Sequence, residues 1–159
     1  MRAYAAGPSP LTSRTAVAVS VAAAADRPAW GTYVNRHADA SGYHEWLWRD
    51  VFEQTFGHQS FYLVARSAAA IVGVLPLVEI RSALFGRTLT SLPFVNFGGV
   101  LADSPDAASA LVEEAARLGR SRGAKHVEFR HIGRMFDHLP CKQHKVTMRL
   151  PLAAGMWDR

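Results

Sequence analysis

The most regular apolar pattern in the chain lies between residues 58 and 102. Phe61, Tyr62, Leu63 and Val64 form one β-rich run, and Ile71, Val72, Val74, Leu75, Leu77, Val78 and Ile80 form a second. Only Ser67-Ala68-Ala69-Ala70 separates them, which predicts an antiparallel hairpin of residues 61–66 and 71–80 at the centre of a sheet. Both runs are almost continuously apolar, as expected of strands covered on both faces. A third run, 87–92, is closed by Pro93, and Asn96-Phe97-Gly98-Gly99 then marks a tight corner.

Before this sheet, Val17, Val19 and Val21 alternate with small residues and predict a first strand. The same stretch follows Arg2 and Arg14 and also fits a short secretory signal, although it is too short to span a membrane. The strand is the preferred reading, because Asp26 and Pro28 then open a helix over 27–36. A second helix is predicted over 44–56, with Leu47, Trp48, Val51, Phe52 and Thr55 on one stripe and Gly57 as its stop. After the corner, Ser104 caps and Pro105 starts a third helix. Its inner face is Ala108, Leu111, Val112, Ala115 and Leu118, Glu113 is spaced to pair with Arg117, and Gly123 ends it. Strands over 125–130 and 146–150 follow, separated by an irregular stretch; residues 1–13 are expected to be a disordered leader.

The ordered series IVGVLPL, LFG, SLPF and NFGG resembles the first half of the FemAB-related proteins, and the resemblance runs from about Trp30 to the end of the chain. It is closest to the subgroup associated with exopolysaccharide export and exosortase systems. The resemblance implies an acyl-CoA N-acyltransferase (GNAT)-like fold: an α/β domain with a mixed sheet flanked by helices. Residues 14–159 then form one such domain, truncated before a second GNAT-like half. It further implies aminoacyl or acyl transfer to a cell-envelope or exopolysaccharide precursor such as that of peptidoglycan, with aminoacyl-tRNA as a donor, in the cytoplasm. An isolated half is expected to be inactive or incomplete. The alternative is a one-half protein that dimerises.

Composition narrows this picture only slightly. A chain of 159 residues suits one domain with a real core, and a net charge of +5 suits an anionic partner or an ordinary basic surface. One cysteine, Cys141, excludes an internal disulfide. Basic residues are dense from Arg117 to Arg149, which keeps open a non-catalytic module that binds RNA or a phosphorylated glycan. Aromatics are sparse there, so sequence-specific RNA reading is not indicated.

The candidate chemistry lies elsewhere. Adjacent Gly98 and Gly99 allow a ligand or another backbone to come close, so a substrate site is expected at Asn96, Phe97, Gly98 and Gly99. Arg130, at the end of a predicted strand, offers a bidentate grip on phosphate or carboxylate, or else pairs with Glu128 or Asp137. His44 is read as an anion ligand beside a helix start, or as a surface or capping histidine. Trp48 is read as substrate-facing, or with Trp46 as core and rim packing. No catalytic residue stands out. No glycine-rich phosphate loop precedes the third helix, and Asp103 and Asp106 flank its start, so no cofactor is expected. His131, His138, Cys141 and His144 lack the spacing of a zinc site, and no metal is expected. The closing residues Leu152, Met156 and Trp157 are expected to expose an apolar surface through which the chain self-associates.

Overall fold

The computed structural model describes residues 16–84, 86–142 and 148. Its elements are β1 (Val17–Val21), α1 (Arg27–Arg36), α2 (Leu47–Gln54), β2 (Gln59–Ser67), β3 (Ala70–Ser82), β4 (Gly86–Thr90), β5 (Leu101–Ala102), α3 (Pro105–Ser121) and β6 (Val127–Glu128). The sheet order is β1-β2-β3-β4-β6, with β5 also on β3. Every pairing is antiparallel except β4 with β6. The expected hairpin is present at the centre and is longer than its apolar runs. Ser67 pairs with Ala70, so Ala68 and Ala69 make the turn, Ala68 at φ 53°.

The pleat explains why these runs carry no polar alternation. Tyr62 and Val64 on β2, with Val74 and Val78 on β3, face α1 and α2. Trp30 stacks on Tyr62 at 4.9 Å, and Trp46 meets Trp30 edge-on at 5.6 Å. The Trp30 indole donates to the His44 carbonyl at 2.8 Å. The alternate residues Phe61, Leu63, Ala65, Leu75 and Leu77 face α3, which presents Ala107, Ala108, Leu111 and Ala115. The alanines let the helix approach closely, and Leu111 fills the space between them at 0% exposure. Helix ends follow local chemistry. Ser104 Oγ accepts from the Ala107 amide at 3.2 Å, and Gly57 and Gly123 take positive φ just beyond α2 and α3.

Several boundaries differ from the sequence expectation. The second helix begins at Leu47, because Glu45 is extended and residues 42–44 form a separate 3-10 turn. Leu47 (60% exposed) and Thr55 therefore point to solvent, and the inward stripe is Trp48, Val51 and Phe52. Arg117 pairs with Glu114, its Nε 2.7 Å from Oε2, and not with Glu113. The run 87–92 is strand only to Thr90, and the strand expected over 125–130 is regular only at Val127–Glu128, although the Lys125 amide already donates to the Arg87 carbonyl at 2.8 Å. The leader, the strand over 146–150 apart from the exposed Met148, and the closing residues Leu152, Met156 and Trp157 lie outside the described residues.

One core position is ionic. Glu79 on β3 is 1% exposed and meets three guanidinium groups. Arg81 Nε lies 2.7 Å away, Arg87 Nε 3.0 Å and Arg122 Nε 3.1 Å. Burial pushes its carboxyl up, but the hydrogen bonds from Arg122 and Arg81 outweigh that and hold it below the usual carboxylate range. Arg122 also lies over the Phe61 ring at 4.6 Å, so this cluster ties the end of α3 to β2, β3 and β4. Glu79→Ala is expected to cost roughly 3 kcal/mol, because it leaves the arginines crowded without their acceptor. Urea unfolding at pH 7 measures this. Since the folded carboxyl is the stronger acid, the difference between wild type and variant should shrink as pH falls through the carboxylate range.

Candidate functional site: a cleft where the sheet splits

β4 and β5 both pair with β3, at Val78 to Ser82 and at Gly73 and Val74 respectively. The ten residues between them, 91–100, are expelled from the sheet. Leu92 (φ 50°), Phe94 (φ 68°) and Gly98 (φ 133°) turn the chain out and back. On the other side, β6 follows β4 in parallel for two residues and then diverges. The gap is a cleft of about 450 Å³. Its walls are residues 97–102, residues 130–135, and His37, Asp39, Ser41 and His44 from the α1–α2 connection.

Two histidines hold the floor. The Val100 amide donates to Nε2 of His131 at 3.0 Å, so this nitrogen is an acceptor and the neutral ring carries its proton on Nδ1. His44 Nε2 lies 3.2 Å from the Gly99 carbonyl, while its Nδ1 accepts from the Ser41 amide at 3.2 Å, which fixes the opposite tautomer. Burial lowers the pKa of both rings, to about 4 for His131, where charge on His44 adds to the effect. A Cβ on Gly99 would lie 2.3 Å from His131 Cδ2 and 2.9 Å from the Arg130 carbonyl. Glycine is thus required at 99 because the chain's own imidazole fills the space beside it.

Arg130 fastens the expelled loop. Its Nη1 donates to the Val95 carbonyl at 2.7 Å, its Nε to Glu128 at 2.8 Å, and its amide to Ser91 Oγ at 2.7 Å. These bonds leave Nη2 as the side of the guanidinium they do not use.

Among the residues singled out from sequence, His44, Phe97, Gly98, Gly99 and Arg130 share this cleft. Asn96 is exposed on the corner and does not line it. Trp48 also stands apart. Its indole donates to the Gly42 carbonyl at 2.9 Å, and its ring packs on Tyr43 and Phe52. Of the readings for His44, the capping one holds: it is 5% exposed, and its Nδ1 accepts from the Ser41 amide that opens the 42–44 turn, so it is neither a surface residue nor beside free N–H groups of α2. His37, Ser41 and His131 were not singled out for this site. His131 stood only beside a rejected zinc pattern, and nothing in spacing announces that it caps an amide of the expelled loop. Among the described residues no three metal-binding side chains converge.

The start of α3 is occupied by protein groups. Ser104 caps it, and Asp103 accepts from the Tyr33 hydroxyl at 3.0 Å and from Arg36 at 3.2 Å. Four of the seven described basic residues of the stretch from Arg117 to Arg149 are paired: Arg117 with Glu114, Arg122 with Glu79, Arg130 with Glu128 and Arg134 with Asp137. Lys145 and Arg149 lie outside the described residues. No helix among the described residues is long and apolar enough to cross a membrane.

A scan of protein-family models finds no match, and a search of curated proteins finds none. Solved structures do match. A GNAT family acetyltransferase of Staphylococcus aureus subsp. aureus USA300_TCH1516 superposes with TM-score 0.58 at 10% identity, over 84% of this chain and 98% of that one. A ribosomal-protein-alanine N-acetyltransferase of Brucella melitensis biovar Abortus 2308 gives 0.53 at 13%, over 72% and 79%. A transcriptional regulator of Bacillus halodurans C-125 gives 0.50 at 16%, over 82% and 100%. The fold is GNAT-like. At these identities the likeness establishes architecture and leaves substrate open.

The His131 bond makes a pH prediction. Its folded pKa lies below the ordinary 6.5, so between about 4 and 6.5 the unfolded chain binds more protons. The stabilisation is present above 6.5 and lost as pH falls toward 4. Denaturant unfolding at pH 7 and pH 4.5 should show wild type losing about 1–3 kcal/mol more than His131→Asn, which cannot titrate. Equal losses would detach this imidazole from the acid sensitivity.

Proposed function

We propose that this domain is the first half of a FemAB-like acyltransferase and that the cleft receives part of its substrate. The reading assigns it aminoacyl or acyl transfer to a cell-envelope or exopolysaccharide precursor, with aminoacyl-tRNA as the donor class. The observation that carries it is the split itself: on a GNAT-like sheet, a cleft opens between diverging strands and is lined by Phe97, Gly99 and Arg130. Clefts outside strand ends are where sheets of this class offer backbone and side-chain groups to ligands. Phe97 supplies an apolar wall, and Arg130 supplies a fixed guanidinium able to meet a phosphate or carboxylate. His44 and His131 are positioning residues: each holds one backbone group of the Gly99–Val100 peptide.

The test follows the His44 and His131 imidazole signals by NMR during titration with three probes. They are a nucleotide-linked peptidoglycan precursor, an aminoacylated tRNA and coenzyme A. The precursor or the tRNA is expected to shift both imidazoles, and Phe97→Ala should weaken that binding about tenfold. Shifts confined to the outer face of α3, or none with either probe, would sink this reading.

Coenzyme A itself should not bind tightly. A cradle for pyrophosphate needs free N–H groups at the start of α3, and here Ser104 Oγ takes the Ala107 N–H while the Asp103 carboxylate, bound to Tyr33 and Arg36, sets negative charge beside that start. Calorimetry is expected to give a dissociation constant weaker than about 100 μM, and micromolar affinity would overturn the expectation.

A further inference from the structure

β1 is an edge strand, and among the described residues it pairs only with β2. Its sequence, Val-Ala-Val-Ser-Val, carries no charge and no proline. Edge strands in monomers are normally blunted by lysine, proline, a bulge or a cover, because their free N–H and C=O groups template pairing with another chain. Among the described residues β1 has none of these devices, and Val21 at its end is 46% exposed. Beside it runs a groove of about 530 Å³, with Val17 and Val19 on one wall and Ala110, Glu113, Arg117 and Arg120 of α3 on the other.

The charges on the α3 wall select the occupant. Glu114 and Arg117 are already joined, Nε to Oε2, at 2.7 Å. Glu113 and Arg120 remain, and neither is engaged in an ion pair with a described residue. They lie two helical turns apart, about 10 Å, on the same side of the helix. One acid and one base at that separation on one face are complementary to the same face turned end for end.

We propose that two copies of this chain pair through β1, antiparallel about a two-fold axis near Val19. The two sheets become continuous across the axis. The helices α3 come together antiparallel over the join, with Glu113 of one copy facing Arg120 of the other, and reciprocally. The valines of both grooves pack beneath them. A foreign strand would satisfy the ladder equally well, but it would have no need of the reciprocal acid–base spacing. This interface is separate from the cleft.

Sedimentation velocity on the full chain tests the proposal, with charge reversals that leave β1 untouched. Wild type is expected to be a dimer that weakens with added salt. Glu113→Arg and Arg120→Glu should each raise the dimer dissociation constant by about tenfold or more, because each places like charges across the axis twice. The two reversals in one chain restore opposite charges and should restore the dimer. Hydrogen exchange should show the β1 amides that face away from β2 protected in wild type and in the double variant, but not in either single variant. Thermal unfolding of the single variants confirms that they fold. A monomeric wild type, a dimer indifferent to both single reversals, or a double variant that stays dissociated would each overturn the proposal.

Discussion

The geometry of this domain depends on the length of β3. Its thirteen residues are more than β4 alone can cover, and two separate segments share its outer edge: β4 at one end and β5 at the other. A ladder shared this way satisfies β3's backbone groups along both segments. The cost falls on residues 91–100, which must leave the sheet and return. Three of those residues take positive φ, two of them bulky. Such conformations persist only where the surroundings over-determine them. Arg130 through Val95, Ser91 through the Arg130 amide, and His131 through Val100 supply that restraint.

The same restraints create the cleft. Because the loop is fastened to the chain after β6, the two walls are held apart at a fixed distance. Groups that a continuous sheet would hydrogen-bond strand to strand are instead met by imidazoles. Two neutral rings with opposite tautomers clamp one peptide unit from its two sides. An alanine at 99 would displace His131, so the glycine, both histidines and the loop stand or fall together. This is the structural content of the corner that the sequence marks with two glycines.

Electrostatics divides the molecule in two. At one end of the sheet Glu79 gathers three arginines, and at the other Asp103 is held by Tyr33 and Arg36. Among the described residues, ten arginines lie in ion pairs with the chain's own carboxylates, most of them partly exposed. The guanidinium groups in those pairs are engaged with the chain itself, which leaves fewer of them uncommitted for a polyanion.

The central hairpin, the face of α3 and the helix stops were legible in sequence, because they rest on local period and local chemistry. Apolar residues on both faces of a strand, small residues at helical spacing, and Ser-Pro or glycine at helix ends act over a few residues. Gly98, Gly99 and Arg130 were legible as unusual, but not the reason for it. Tertiary structure alone decided that an imidazole from beyond β6 fills the space at Gly99, and that His44 is buried with its ring turned to the same peptide. His44 and Gly99 are 55 residues apart in sequence, and no periodicity couples them. They meet because β3 pairs with two segments, and that pairing is set by packing on both faces of the sheet rather than by any local preference.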